Sequence, residues 1–85
     1  MKNKKVFVVV EDGVYDYESS TNVQVFDTKE KAIECIADLK RCNEDECVEE
    51  GWELEYAHED EFLFQEPGDY TRNHFLVTLW EKEVK

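Results

Sequence analysis

Two stretches of this chain, "KKVFVVV" at 4–10 and "HFLVTLWEKEV" at 74–84, carry apolar residues at consecutive positions rather than alternate ones. Side chains on a strand point to opposite faces in turn, so a strand apolar at both parities needs cover on both sides. Each stretch is therefore expected to lie in the interior of a sheet. In the second, Phe75, Val77 and Leu79 face one way and Leu76, Thr78 and Trp80 the other.

The segments between them complete the architecture. "EDG" at 11–13 reads as a turn, with "YESST" after it loose or bulged. An extended segment then ends in "TNVQVFD" at 21–27, with Val23 and Val25 opposite in parity to Gln24 and Phe26. The first two strands should form a hairpin. "DTKEKAIECIADLKRC" follows, with Asp27 or Thr28 placed to cap a helix. Ala32, Cys35, Ile36 and Leu39 form an apolar stripe at helical spacing, which extends through Cys42 and Val48 if the helix continues. Gly51 suits its C-terminal stop, so one helix is expected over about 29–50. Asn43 with Glu46 gives a competing capping signature and a break there. "WELEYA" places Trp52, Leu54 and Tyr56 on one face and Glu53 and Glu55 on the other. "EFLFQ" at 61–65 is a fourth strand and "EPGD" at 66–69 a turn.

The expected fold is α+β: one domain over 1–85, a mostly antiparallel five-stranded sheet in the order β-β-α-β-β-β, with one long helix on one face. One helix cannot cover both faces of five strands. The second face, expected to include some of Phe7, Val9, Leu76 and Trp80, then calls for self-association as a homodimer. With 85 residues, stability is expected at about 4–13 kcal/mol.

The net charge of −12 is unevenly spread. Residues 1–42 hold eight acids and seven bases, whereas 43–71 hold twelve acids and no base. Such a field disfavours nucleic acid and anionic membranes as partners and favours a basic protein. No apolar run approaches the length of a membrane span. The start, "MKNKKVFVVVEDG", has too short an apolar run for a signal peptide, and a cytoplasmic location is expected. Three cysteines, an odd number, fit reduced thiols.

The stretches "KVFVVVEDG", "VQVFDTKEKAIE", "GWELEYAHEDEF" and "NHFLVTLWEKEV" resemble a group of short acidic proteins of gut Firmicutes and their phages or mobile elements. The resemblance spans most of the chain and lies in the fold pattern. It implies a strand-strand-helix-strands fold and no catalytic motif. The mobile-element association brings interference with host proteins into view as a role.

Catalytic and metal chemistries find little purchase. Cys42 and Cys47 are one loosely spaced pair, with His58 and His74 further on, whereas structural zinc is usually held by tighter cysteine pairs. Glu44, Asp45, Glu46, Glu49 and Glu50 lack the spacing of a calcium loop. The acids around Cys47 oppose a thiolate, and Cys42, after Lys40 and Arg41, has no nameable base. Ser19 and Ser20 are expected in a loop with no histidine nearby in sequence. No glycine-rich phosphate loop is present. No cofactor, metal or catalytic residue is assigned.

The acidic run has two readings. As a solvated face it serves solubility alone, and the protein is then a structural homodimer. As a docking surface it binds a basic protein partner through Glu46, Glu49, Glu50, Glu53, Glu55, Glu59, Asp60 and Glu61, with Trp52 and Tyr56 supplying contacts. That display also suits mimicry of nucleic-acid phosphates. The expected function is a non-enzymatic interaction module of the docking kind. A small thiol- or metal-dependent protein using Cys42, Cys47 and His58 is the alternative.

Overall fold

The structure is a computed structural model that describes residues 4–15, 18–68 and 73–84. Strands β1 (Lys4–Tyr15) and β2 (Glu18–Phe26) precede helix α1 (Lys29–Glu49), and β3 (Glu53–His58), β4 (Glu61–Gln65) and β5 (His74–Val84) follow. They form one antiparallel sheet in the order β2-β1-β5-β4-β3. The two strands apolar at both parities, β1 and β5, pair along eleven residues, from Lys4 opposite Val84 to Val14 opposite His74. Both are interior, as their pattern requires.

The expected turn at 11–13 is not there. Glu11, Asp12 and Gly13 continue β1, paired on one side with Asn22, Thr21 and Ser20 and on the other with Val77, Leu76 and Phe75. A ladder on both sides holds the backbone extended and outweighs the local turn preference. The loose segment expected after it is corrected for the same reason. Glu18 to Thr21 belong to β2, so Ser19 and Ser20 sit in a strand opposite Val14 and Gly13. Tyr17 lies outside the described residues.

Helix α1 starts and stops where its end residues dictate. Thr28 is the N-cap, with φ −129° and ψ 150°, and its Oγ1 accepts the Lys31 N–H at 3.3 Å. Asp27 pairs with Lys31 at 3.1 Å, and that hydrogen bond and charge hold the Asp27 carboxyl below its ordinary value. At the other end Gly51 takes φ 84°. The Trp52 N–H donates to Cys47 O at 2.8 Å and the Gly51 N–H to Val48 O at 3.0 Å. This is the paired closure that a left-handed residue after the C-cap permits. There is no break at Asn43, whose Nδ2 instead donates to the Leu39 carbonyl at 2.7 Å.

The helix crosses from one edge strand, β2, to the other, β3, over one face of the sheet. Ala32, Ile36 and Cys47 are buried beneath it, with Cys35 and Leu39 partly so. The expected extension of the stripe through Cys42 and Val48 does not hold, because both are exposed. At roughly 100° per residue, Val48 points about 160° away from Ala32, whereas Asn43 and Cys47 stay within about 60° of it.

From the sheet, Val9, Phe62, Phe64 and Val77 complete the buried core. Phe62 meets Phe64 and Phe75 edge-on, at centroid distances of 5.9 and 5.8 Å. Phe7, Phe26, Phe75, Leu79 and Trp52 pack around it. Phe7 and Val9 therefore lie on the covered face and not on the second one, contrary to expectation. Their parity follows from the register, since Val9 pairs with Leu79 and Phe7 with Phe26 and Glu81. Leu76 and Trp80 do lie on the second face.

In β3 the alternation is interrupted. Leu54 pairs with Phe64 and Tyr56 with Leu63, leaving Glu55 in a bulge. The extra residue reverses the parity beyond it. Leu54 thus shares the helix side, and Tyr56 is turned to the opposite face. The expected turn at 66–69 runs past the described residues. Its base is closed by the Glu66 N–H on Asn73 O at 3.0 Å and by Asn73 Nδ2 on Glu66 Oε2 at 2.6 Å.

Candidate functional site

Two surfaces stand out, the open sheet face and an acidic rim that runs from the helix end along the edge strand β3. The first is the face opposite the helix. The register places Val6, Val8, Val10 and Val14 of β1 there, beside Val23 and Val25 of β2, Leu63 of β4 and Leu76 and Trp80 of β5. No element of the described chain covers them. Val23, Val25 and Trp80 are 57%, 61% and 55% exposed. Lys82 Nζ stands 6.0 Å from the Trp80 ring centroid, and the Trp80 indole N–H donates to Thr78 Oγ1 at 3.1 Å.

The molecule as a whole is more extended than a compact monomer of its mass. The molecule is a slab of 51 × 22 × 16 Å with 6385 Å² of accessible surface. A compact monomer of 10.1 kDa exposes about 5,300 Å². The surplus, roughly 1,100 Å², exceeds the ~800 Å² that one partner gives to an interface of ordinary size.

The second surface carries the acids. Glu46, Glu49 and Glu50 close the helix, Glu53 and Glu55 lie on the edge strand β3, and Glu59 and Asp60 form the turn into β4. All seven are exposed. Among the described residues the ion pairs join Lys5 to Glu81, Lys31 to Asp27, Lys40 to Glu44 and Arg41 to Asp38. None of these seven acids is neutralised in this way. The last helical turn contains no basic residue, so the acids there sit at the negative end of the helix dipole, where cations are favoured.

Glu61 and Tyr56 do not join this surface. Glu61 is half-buried and takes a hydrogen bond from the Tyr56 hydroxyl. Loss of solvent, then that bond and the Glu61 charge, hold the Tyr56 phenol above its ordinary 10.0. Tyr56 also rests against His58, at a centroid distance of 5.8 Å, on the open sheet face.

Trp52, by contrast, stands with the acids of the helix end. Its ring lies 6.0 Å from that of Tyr15, tilted by 36°. The Tyr15 hydroxyl donates a long bond, 3.5 Å, to Glu50 Oε2. Between the helix end and the far end of the β1–β2 hairpin is a cavity of about 290 Å³, lined by Gly13, Tyr15, Glu18, Glu46, Glu50 and Trp52 among others. Nothing in the sequence pairs Tyr15 with Trp52, and the β1 register alone brings them together. A shallower groove between the helix and β2 is lined by Phe26, Cys35, Leu39 and Cys42.

The thiols are dispersed. Cys47 is buried, Cys35 is half-buried and Cys42 is exposed on the helix. Burial first, and then the Glu46 charge, push the Cys47 thiol above its ordinary 9.0. His58 lies on the other side of the sheet from Cys47. The structure does not bring Cys42, Cys47 and His58 together. Among the described residues, no three His, Cys, Asp or Glu side chains are grouped to hold a metal ion. Among the described residues, no helix is long and apolar enough to cross a membrane. No family model, curated protein or solved structure matches the chain.

Proposed function

We propose that the protein is a non-enzymatic acidic interaction module that pairs with a second copy of itself through the open sheet face and presents its acidic edge to a basic protein. The observation that carries this reading is the one-sided sheet: a helix over one face and, on the other, an uncovered cluster of Val, Leu and Trp edged by Asp12, Glu61 and Lys82. A second copy of the chain suits that face. Packing two such sheets gives an apolar interior about 10 Å thick, as in a sandwich.

Pairing through this face leaves the helix end with Glu46, Glu49 and Glu50, and the turn with Glu59 and Asp60, outermost, while Glu53 stands at the rim of the paired face. Acids on β3 also keep that unpaired edge from joining another sheet. The net charge of −12 repels nucleic acid and steers a basic protein towards this surface.

Sedimentation equilibrium tests the pairing. The native chain is expected at twice its formula mass at micromolar concentration. Trp80→Lys, which adds a charge to the exposed centre of the face, is expected at the single mass with the same circular dichroism. A native chain that stays at the single mass throughout the concentration range overturns the proposal.

A further inference from the structure

The cavity at the helix end combines features that an acidic surface alone does not have. Its lining combines two aromatic rings, carboxylates from two elements and a glycine of β1. Glu46 and Glu50 are one helical turn apart, while Glu18 comes from the start of β2. No Lys or Arg forms an ion pair with any of the three among the described residues. Gly13 is on the helix-facing side of β1, paired with Ser20 and Phe75. A Cβ built there meets Ser20 Oγ at 3.6 Å and Phe75 Cδ1 at 3.7 Å, ordinary contact distances. Gly13 takes no left-handed φ, so its backbone does not require glycine.

We infer that this cavity receives one arginine side chain of the basic partner, so the inference rests on the docking reading above. The chemistry selects the residue. A guanidinium is planar, stacks on aromatic faces and donates through a fork that suits carboxylates. The volume of about 290 Å³ lies just under the ~300–1,000 Å³ of sites for drug-sized ligands, which fits one long side chain. Tyr15 and Trp52 are not a sandwich for it. Their centroids are 6.0 Å apart, whereas a group held between two parallel rings needs about 7 Å, two contacts of ~3.5 Å. The rings form one angled wall, with the guanidinium against it and its N–H groups directed to Glu46 and Glu50. The helix dipole adds to the attraction, since its negative end lies at the same place.

The two tryptophans make the test specific, because Trp52 lines the cavity and Trp80 lies on the opposite face of the sheet. The experiment is an NMR titration of the full chain with acetyl-hexa-arginine amide at low salt, following both indole N–H signals and the backbone amides. The same peptide with citrulline in place of arginine, equal in shape but uncharged, serves as the control.

The expected result is a saturable shift of the Trp52 indole with the Trp80 indole unmoved, and affinity for the citrulline peptide lower by about tenfold or more. Glu46→Gln with Glu50→Gln should weaken arginine binding by at least about tenfold. Gly13→Val, which adds a side chain to the cavity lining without altering a charge, should abolish the Trp52 shift. Shifts confined to the amides of Glu53, Glu55, Glu59 and Asp60, with Trp52 unmoved, overturn the arginine site and leave the basic-partner reading standing. No shift anywhere at low salt overturns both.

Discussion

Replacing Glu46 and Glu50 by Gln should make the isolated protein more stable while weakening its hold on a basic ligand. The two side chains belong to the last turn and cap of α1, four residues apart, and no basic residue stands in that turn. A carboxylate at the negative end of a helix costs about 0.3–1 kcal/mol. Two like charges at this spacing repel by about 0.2–0.5 kcal/mol. Both residues are exposed, so the lower ends of these ranges apply, and the sum is about 1 kcal/mol. The bond from Tyr15 to Glu50 is long, at 3.5 Å, and a Gln carbonyl still accepts it. For a domain of this size, 1 kcal/mol raises Tm by about 4–8 °C. Thermal melts followed by circular dichroism at low ionic strength measure this. They are compared at one protein concentration, because pairing of the kind proposed would make Tm concentration-dependent. The gain should shrink at about 1 M salt, where the screening length falls to ~3 Å. An unchanged or lowered Tm at low salt would refute the reasoning, since the acids would then be contributing to the fold rather than straining it.

Four further outcomes follow from the core, the helix stop and the thiols. Phe62→Ala removes a fully buried ring and should cost about 3–5 kcal/mol, a large part of the roughly 4–13 kcal/mol available; urea denaturation should show loss of most or all of the folded baseline. Gly51→Ala places a Cβ at φ 84° with nothing within 4 Å of it, so the cost is backbone alone, about 1–2 kcal/mol, seen as a lower urea midpoint with unchanged slope. Of the three thiols, exposed Cys42 should be alkylated first by iodoacetamide and buried Cys47 last, as followed by mass spectrometry. The Cys47 thiol is raised above 9.0, so its contribution to stability is complete below the unfolded value and is lost as pH rises through the folded one. Urea midpoints should therefore fall on the alkaline side of 9.0, and less steeply in Cys47→Ala.

Much of the fold was legible because it is written in patterns local to each element. Consecutive apolar residues in β1 and β5 marked them as interior, and Thr28 and Gly51 bounded the helix to within a residue. What escaped was set by partners distant in sequence. Gly13 looks like a turn until Ser20 and Phe75 flank it. The face on which Phe7 and Val9 lie depends on the register with β2 and β5, which neither strand encodes alone. One bulge at Glu55 sufficed to turn Tyr56 away from the side Trp52 shares. The acidic run was plain as composition, but not that Glu61 is occupied by Tyr56 or that Glu46 and Glu50 border an aromatic cavity. Tyr15 reaches Trp52 only across the fold, and no spacing rule joins them.

The open sheet face is the central claim, and the mass of the native chain in solution tests it most directly. Sedimentation equilibrium beside Trp80→Lys should give twice the formula mass for the native protein and the single mass for the variant. A native chain at the single mass, with its Trp80 indole exchanging freely with solvent at high protein concentration, would contradict the account.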